Sequence, residues 1–473
     1  MRRLVIVSNR VADPSQNSSG GLAVCLLDAL RERGGLWFGW NGAIVADEIE
    51  IAPACVKYDK CVLMTMALTE RDYREYYLGF SNETLWPIHH YRLDLARFTL
   101  EAAEGYRRVN ARFADVLTPN LNRSDLIWVH DYHLIPLGAN LRARGVGNEI
   151  GFFFHIPFPP PEILVATPEH EWLMNSLLEY DLIGFQTISD QANFCRFVCE
   201  FLGGQMVSPD TLNVAGKYVK AGVFPVGIDV DSFIAMAKSP EAKTRIERTL
   251  VRADERVYVI GVDRLDYSKG LPERFRAFKA LLESYPAGSK PATLIQIASP
   301  TRDDLQAYIN IRHELESLSG EINGKFGDFD WTPLRYIHRN VARDVLAGLY
   351  RASRIGLVTP LRDGMNLVAK EYIAAQDPAD PGVLILSRFA GAADDLEEAL
   401  TVNPYDIHEV AHAMRRAIEM SKKERIERHR ALMKRIRHHD ANNWMTSFLR
   451  ALRSCRRRQH SALAQLDEPG AAA

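Results

Sequence analysis

Residues 359–376, "TPLRDGMNLVAKEYIAAQ", combine charged and amide side chains at a point where a buried strand should give way to a helix. The apolar run 355–358 comes directly before them. The unusual residues are Arg362, Asp363, Gly364, Asn366, Lys370 and Glu371. Packing alone requires none of these types at the end of a strand, so the stretch predicts a ligand-binding turn.

The ends of other strand-like runs are polar as well. They carry Asn9 and Arg10; His130, Asp131 and His133; His155; Arg264, Asp266 and Lys269; and Arg302. Ligands of open parallel sheets bind beyond the carboxyl ends of the strands. Because these ends are spread over both halves of the chain, we predict a binding cleft between two domains. Each residue taken alone has an ordinary alternative as a solvated loop charge or a helix cap.

The cations at these ends indicate an anionic ligand. Arg10, Arg264, Lys269 and Arg302 begin loops, and such donors make strong bonds to phosphate. Four of them suit two separate phosphate-containing groups. Gly20 and Gly21 precede an apolar helix and would let backbone N–H groups approach a phosphate or sugar, although an ordinary turn is the alternative.

Two further clusters have competing interpretations. Tyr77 and Trp86 lie in the polar stretch "EYYLGFSNETLWP" and could present rings and a hydroxyl to a sugar, whereas Trp37 fits a packed core. "HEVAH", residues 408–412, has zinc-protease spacing, but Arg415 replaces the expected glycine and "NPYD" places the histidines in a first helical turn. We therefore expect no metal and no cofactor.

Short β-rich runs alternate with helical patterns through nearly the whole chain. Continuous apolar strands separated by helices indicate parallel sheets buried on both faces. The predicted fold is α/β, with two doubly wound Rossmann-like domains facing each other across a deep cleft. We predict one domain over 1–238, a second domain over 239–445, and a C-terminal helix over 446–473 that docks on the N-terminal domain before a disordered tail.

Composition excludes several classes of protein. The chain has 473 residues, 47% hydrophobic and 25% charged, with a formal net charge of −2. This balance argues against binding to nucleic acid or to a membrane surface, and no apolar run reaches the roughly 18 residues of a membrane span. Six cysteines without framework spacing and a short apolar start predict a reduced, cytoplasmic protein. A homo-oligomer, dimer or tetramer, is compatible with the sequence, which does not determine the state.

Several long motifs together resemble the bacterial trehalose-6-phosphate synthases, which are retaining glycosyltransferases of the GT-B type. The motifs are "SNR", "SSGGLAV", "GLWFGW", "WPIHHYR", "WVHDYHL", "FFFHIPFPPPE", "DRLDYSKGLPER" and "LVTPLRDGMNLVAKEY". They occur in order between Arg3 and about Leu452. The resemblance implies transfer of glucose from a nucleotide sugar, usually UDP-glucose, to the anomeric hydroxyl of glucose 6-phosphate. It also implies that residues 1–238 form the acceptor domain and residues 239–445 the nucleotide-sugar domain.

The resemblance also implies roles for individual residues. The donor residues are Gly21, Leu22, His155, Arg264, Lys269, Val341, Asp363, Gly364, Met365, Asn366, Leu367, Val368, Ala369, Lys370 and Glu371. The glucose 6-phosphate residues are Arg10, Tyr77, Trp86, Asp131 and Arg302. The catalytic residues are Asp131, His155, Arg264, Lys269 and Asp363. Within the donor set, Arg264 and Lys269 would hold the diphosphate, and Glu371 would hold the ribose.

The chemistry of this transfer needs charge stabilisation on the leaving group. Cations and helix N–H dipoles can stabilise the leaving diphosphate without a metal. No carboxylate is left over as a nucleophile, so we expect attack from the face of the departing diphosphate, without a covalent intermediate. Val341 replaces a phenylalanine that is common in close relatives, which leaves the choice among UDP, ADP and GDP open. The alternatives are another phosphorylated acceptor, or a non-catalytic regulator that binds sugar phosphates.

Overall fold

The computed structural model describes residues 2–11, 26, 30, 34–49, 51–242, 256–302 and 304–466, with side chains as far as Cys455. Their contacts divide the chain into two compact units. Unit 1 contains the described residues up to Pro225 and those from Trp444 onward, and unit 2 contains Val226–Asn443. The predicted boundaries at 238/239 and 445/446 stay predictions beside this division.

Unit 1 is built on one sheet of ten described strands. The strands are β1 Leu4–Arg10, β2 Gly35–Val45, β3 Ala54–Tyr58, β4 Cys61–Thr69, β5 Leu126–His130, β6 Glu149–Phe153, β7 Leu182–Phe185, β8 Gln205–Ser208, β9 Thr211–Val214 and β10 Lys217–Val223. Their order is β3-β4-β2-β1-β5-β6-β7-β10-β9-β8. The strands from β4 to β10 in this order pair in parallel, and β3, β9 and β8 extend the edges antiparallel.

Unit 2 has a sheet of six described strands, all parallel. The strands are β11 Val257–Arg264, β12 Ala292–Ser299, β13 Leu334–Ile337, β14 Ile355–Val358, β15 Val383–Ser387 and β16 Leu400–Val402. Their order, β13-β12-β11-β14-β15-β16, is that of a doubly wound Rossmann sheet. The predicted α/β class with two such domains is confirmed.

Helices connect the strands of both units. In unit 1 they are Glu70–Asp72, Trp86–His89, Leu100–Leu117, Leu137–Ala143, Pro161–Leu164, His170–Leu177 and Ile188–Phe201, with the π-helix Tyr73–Leu85 and 3-10 turns at Leu93–Leu95, Thr118–Asn120 and Tyr132–Leu134. In unit 2 they are Val230–Ala237, Leu271–Glu283, Gln306–Phe326, Arg343–Ala352, Leu367–Ala375, Ile407–Glu419 and Lys422–His438, with 3-10 turns at Tyr267–Lys269 and Gly391–Asp394. The last helix is Ala441–Leu466.

Burial explains why the central strands read as apolar runs. Every residue of β5, β6, β14 and β15 is buried, because helices cover both faces of a parallel sheet. The polar members of these strands are His130, Glu149 and Ser387. Glu149 accepts a hydrogen bond from Arg2 Nη1 at 2.8 Å, which offsets the cost of burying its charge.

The C-terminal helix packs within unit 1 from Trp444 onward. Phe448 stacks on Trp128 of β5 with ring centroids 4.6 Å apart, and Trp444 lies 4.9 Å from the same ring. A Cβ at Gly151 or Gly184 would come within 2.8 Å of the Phe448 ring, so these strand positions exclude larger residues. The tail, residues 467–473, for which disorder was predicted, lies outside the described residues. No described helix is both long and apolar enough to cross a membrane.

Candidate active site

Unit 2 has its topological switch point between β11 and β14. The strand order reverses there, which opens a crevice beyond the carboxyl ends of these two strands. β11 ends at Arg264, which is exposed, and β14 leads into the stretch that starts at Thr359. Among the predicted donor residues, Arg264 and Lys269 lie at or just after the end of β11, and Asp363 to Glu371 lie in the segment that follows β14.

Lys269 and Asp363 meet across the switch point. Lys269 Nζ lies 2.6 Å from Asp363 Oδ2, and the Asn366 side-chain amide donates to the same oxygen at 3.0 Å. Backbone bonds fix the aspartate further, because its N–H donates to Phe389 and its carbonyl accepts from Gly391. A mostly buried cation is therefore oriented toward the carboxylate predicted to contact the donor sugar.

Asn366 starts the helix Leu367–Ala375. Its φ of 75° lies in the left-handed region, which asparagine tolerates better than most residues, and its Oδ1 caps the Ala369 N–H at 3.3 Å. Gly364 and Met365 are buried, whereas Leu367 and Val368 are half-buried. The first turn therefore presents backbone N–H groups near the crevice, where an anion is favoured.

Lys370 and Glu371 are both buried on this helix. Lys370 Nζ donates to the Val226 carbonyl at 3.0 Å and lies 3.6 Å from Asp395, which commits its ammonium group to the interior of unit 2. Burial lowers the pKa of Lys370. Glu371 Oε1 accepts from Arg343 Nη2 at 3.1 Å; burial raises the pKa of Glu371, and Arg343 partly offsets this effect.

A buried hydrogen-bond network around Arg274 lies next to the switch point. Arg274 donates to Asp263 Oδ2 at 2.5 Å, to Gln296 Oε1 at 2.8 Å and to Thr359 Oγ1 at 3.0 Å. It therefore links β11, β12 and the start of the loop after β14. Gly270, at φ 63°, follows the Lys269 turn, and a Cβ there would lie 2.7 Å from the Thr359 carbonyl oxygen.

Arg302 has a left-handed backbone conformation, and its side chain is hydrogen-bonded to two neighbouring residues. Its φ is 51°, and its Nη1 donates to the Tyr308 hydroxyl at 2.5 Å and to Asp266 Oδ2 at 3.3 Å. Val341, predicted to face the base, is half-buried and comes just before the helix Arg343–Ala352. Both residues belong to unit 2.

The switch point of unit 1 lies between β1 and β5. Arg10 ends β1, and its guanidinium lies 5.5 Å from the centre of the Trp40 ring. Asp131 follows β5 at φ 73° and ψ 165°, a region that glycine occupies almost alone and that costs about 1–3 kcal/mol for other residues. Asp131, on a strained backbone, and Arg10 therefore flank the crevice of unit 1.

His155 is joined to both residues at the end of β5. Its backbone N–H donates to Asp131 Oδ1 at 3.2 Å, and its Nε2 lies 3.0 Å from Nδ1 of His130. Burial lowers the pKa of His155 to about 3, and burial followed by the nearby His155 lowers that of His130. Both rings are therefore neutral at pH 7, and one ring donates its N–H to the other.

The aromatic stretch forms a 13-residue π-helix, Tyr73–Leu85. Such helices are rare, and where they occur they are often found at functional sites. Tyr77 stacks on His133 with ring centroids 5.9 Å apart, and its carbonyl accepts from Asn82 at 2.7 Å. Trp86 is 3% exposed and lies 4.0 Å from the His90 ring, and Trp37 is buried in the core.

Among the described residues, no cluster of His, Cys, Asp or Glu has the arrangement of a metal site. The "HEVAH" segment lies at the start of the helix Ile407–Glu419, after the cap Asp406. His408 is in the first turn, as predicted, whereas His412 is in the second turn. Glu409 accepts from Arg388 at 3.0 Å and from the Asn403 N–H at 2.9 Å. These bonds give the carboxylate a structural role at the helix start.

The sequence model of the family described as glycosyltransferase family 20 matches residues 4–454. This chain belongs to glycosyltransferase family 20. The trehalose-6-phosphate synthase of Enterobacter sp. (strain 638) is 48% identical over 457 residues, which cover 96% of this chain and 95% of that protein. The chain is therefore a glycosyltransferase of the GT-B class.

Solved structures agree with this family 20 assignment. A Burkholderia xenovorans α,α-trehalose-phosphate synthase (UDP-forming), in complex with glucose-6-phosphate, matches with a TM-score of 0.92 and 48% identity, covering 95% of this chain and all of that one. An E. coli structure bound with UDP-2-fluoro glucose matches with a TM-score of 0.89 and 48% identity, covering 95% of this chain and 98% of that one.

Within this family 20 enzyme, the structure groups the predicted residues in two sets. Asp131 and His155 meet in unit 1; Lys269, Asp363 and Asn366 meet in unit 2. Gly21 and Leu22, predicted to approach the donor, lie outside the described residues. Neither Arg343 and Tyr308 nor the pairing of His130 with His155 was indicated by the sequence. The signal for His130 was its place at the end of β5 beside Asp131, whereas Arg343 and Tyr308 lie inside ordinary helical patterns.

Proposed function

We propose that this chain transfers glucose from UDP-glucose to the anomeric hydroxyl of glucose 6-phosphate and yields α,α-trehalose 6-phosphate and UDP. The observation that carries the proposal is the meeting of Lys269, Asp363 and Asn366 at the switch point of unit 2. Relatives of 48% identity were solved with the acceptor and with a donor analogue, which supports the same pair of substrates here.

The donor is held by unit 2 in this proposal. Arg264 and Lys269 bind the diphosphate, together with the N–H groups that begin the helix Leu367–Ala375. Asp363 accepts from glucose hydroxyls, and Glu371, oriented by Arg343, accepts from the ribose. Lys370 contributes its backbone, because its ammonium group is bound to Val226 and Asp395. Val341 lies by the base, and Gly21, Leu22 and His155 complete the donor set.

The acceptor is held by Arg10, Tyr77, Trp86, Asp131 and Arg302. The two arginines bind the phosphate of glucose 6-phosphate, since guanidinium groups match its oxygens in pairs. Tyr77 offers a hydroxyl and a ring to the sugar, and Asp131 accepts from a sugar hydroxyl. The strained backbone of Asp131 holds that carboxylate in a fixed direction.

The proposed reaction keeps the configuration of the donor sugar by attack from the face of the leaving diphosphate. As the glycosidic bond breaks, negative charge grows on the phosphate oxygen, where Arg264, Lys269 and the helix N-terminus stabilise it. The acceptor hydroxyl passes its proton to the departing phosphate oxygen as the new bond forms. Trapping a covalent glucosyl-enzyme would contradict this route.

The test is to incubate the protein with glucose 6-phosphate and, separately, UDP-, ADP- and GDP-glucose, and to identify the disaccharide phosphate by mass spectrometry and NMR. We expect α,α-trehalose 6-phosphate, formed fastest from UDP-glucose. No product from any donor would overturn the proposal. A parallel incubation replaces glucose 6-phosphate with glycerol 3-phosphate, and product with glycerol 3-phosphate alone would favour the alternative acceptor class.

Location and assembly are also proposals. The described cysteines form no disulfide with one another, in keeping with a reducing compartment, and we place the enzyme in the cytoplasm. Sedimentation analysis distinguishes a monomer from the dimer or tetramer that the sequence allows.

A further inference from the structure

Asp266 is a fully buried carboxylate in the loop after β11, and the proposed reaction assigns it no role. Its Oδ1 accepts from the Ser268 N–H at 2.9 Å, which closes the 3-10 turn Tyr267–Lys269. Its Oδ2 accepts from the Tyr308 hydroxyl at 3.1 Å and from Arg302 Nη1 at 3.3 Å. One carboxylate therefore contacts the turn that carries Lys269 and the side chain of Arg302.

Arg302 is held by these contacts in a specific conformation. Its side chain is 4% exposed, and its left-handed φ of 51° is uncommon for an arginine. The Tyr308 hydroxyl bonds the same Nη1 at 2.5 Å, so Asp266, Tyr308 and Arg302 form a closed triangle of hydrogen bonds. The position of the guanidinium therefore depends on the position of the Asp266 carboxylate.

The electrostatics make this dependence strong. A buried carboxylate needs charged or hydrogen-bonding partners, and losing one of them leaves an uncompensated charge. Arg302 supplies the positive charge among the partners given above, while Ser268 and Tyr308 supply neutral donors. Movement of the Lys269 turn would move the carboxylate, and the bonds at Oδ2 would transmit this shift to the Tyr308 hydroxyl and the Arg302 guanidinium.

We propose that Asp266 is a positioning residue that couples the turn binding the donor diphosphate to the arginine binding the acceptor phosphate. The inference rests on the roles given to Lys269 and Arg302 under the proposed function. A ligand that fixes one segment also orders the other, so the second ligand loses less conformational freedom when it binds. UDP and glucose 6-phosphate therefore increase each other's affinity, and by linkage the factor is the same in both directions.

Calorimetric titration of the full-length protein tests this coupling without catalysis. The dissociation constant of UDP is measured alone and with saturating glucose 6-phosphate, and the reverse titration checks reciprocity. In the natural protein we expect the second ligand to tighten binding at least about 5-fold. A factor near 1 would overturn the proposal.

Two variants remove the link in different ways. Asp266→Asn keeps the shape but removes the charge, and we expect the coupling factor to fall toward 1. Tyr308→Phe removes only a hydroxyl; we expect weaker glucose 6-phosphate binding, unchanged binding of UDP alone, and a reduced coupling factor. If both variants, checked by circular dichroism, keep the natural factor, the proposal is wrong. If Asp266→Asn does not fold, Tyr308→Phe decides.

Asp377→Asn is the matched control. Asp377 accepts from the Ala379 N–H at 3.0 Å through Oδ1 and from Arg351 at 2.9 Å through Oδ2, so its partners are of the same kinds as those of Asp266, although its side chain is 49% exposed. We expect it to retain the natural coupling factor, and an equal loss in this variant would contradict the assignment to Asp266. Arg302→Ala separates the two proposals, because unchanged binding of glucose 6-phosphate alone would refute the acceptor role of Arg302 itself.

Discussion

Lys269 Nζ and Asp363 Oδ2 are 2.6 Å apart, and their pairing joins the loop after β11 to the loop after β14. The two residues are far apart in sequence, and the strand order makes them neighbours. Asn366 donates to the same carboxylate oxygen, so the aspartate is held from two directions. A lysine held in this position needs little reorganisation to bind a diphosphate. Electrostatic preorganisation of this kind lowers the free-energy cost of stabilising the developing charge.

Lys269→Met should therefore lower kcat/KM for UDP-glucose about 10²–10³-fold, the usual range for losing one group that stabilises developing negative charge. Steady-state kinetics with varied UDP-glucose measure the effect. Lys279→Met is the control, because Lys279 pairs with Glu321 on an exposed surface. An equal loss in both variants would exclude a specific role for Lys269.

The sequence predicted the fold well where burial alone determines local structure. β1, β5, β6, β11, β12 and β14 coincide with the strand-like runs whose ends the sequence analysis singled out, because strands buried on both faces have little freedom in composition. β2 and β4 were not among those runs, although "GLWFGW" and "CVLMTMALT" are apolar as well. The π-helix Tyr73–Leu85 has no sequence pattern of its own, since its period resembles an irregular α-helix.

The site was predictable as a set of strand ends but not as a network. The turn after β14 could be found because charge is unusual at the end of a buried strand. Arg343 and Tyr308 could not, because a helical arginine or tyrosine usually packs or faces solvent. Their roles follow from tertiary contacts with Glu371 and Asp266, which no local spacing encodes.

Removing Arg274 should destabilise unit 2. Arg274→Met leaves Asp263 buried without its cation, and breaking such a pair typically costs about 3–5 kcal/mol. For a unit of this size the loss corresponds to roughly 6–20 °C in the thermal transition. Scanning calorimetry measures it, and the double variant Arg274→Met with Asp263→Leu should regain part of the loss. A change below 2 °C, roughly, would contradict the network's role.

Acid should weaken unit 1 through the His130–His155 pair. The pKa of His155 is lowered to about 3 from about 6.5 in an unfolded chain. Between these values the unfolded chain binds more protons, so this stabilisation is complete above pH 6.5 and is lost as the pH falls. At pH 5 the lost free energy of unfolding is about 1–2 kcal/mol. The lower value is expected because His155 keeps part of its surface in contact with solvent.

Urea unfolding at pH 7 and pH 5 tests this effect. His155→Gln should lose less stability between the two pH values than the natural protein does. His408→Gln is the control, because His408 is exposed on the helix Ile407–Glu419 and should keep the natural pH dependence. Equal pH dependence in all three proteins would refute the assignment to His155.

Asn82→Ala should weaken acceptor binding through Tyr77. Asn82 is buried, donates to the Tyr77 carbonyl at 2.7 Å and accepts from the Tyr132 hydroxyl at 2.9 Å. Without it the π-helix loses the bond that fixes Tyr77, and we expect KM for glucose 6-phosphate to rise several-fold while KM for UDP-glucose stays constant. Asn193→Ala, which removes a comparable bond to the Phe158 carbonyl, should change neither KM. A rise in both constants for Asn82→Ala would point to general unfolding of the unit.

Arg302 and Arg264 both belong to unit 2 but are predicted to bind different substrates. Arg302→Ala removes a guanidinium assigned to the acceptor phosphate, so KM for glucose 6-phosphate should rise about 10–100-fold, far more than KM for UDP-glucose. Arg264→Ala removes a charge assigned to the donor diphosphate, so the pattern should reverse and kcat should fall. Initial rates over a grid of both substrate concentrations separate the two constants. Because the two substitutions are chemically identical, an exchange of the two patterns could arise only from an exchange of the two arginines' substrates, and it would show that the roles are misassigned.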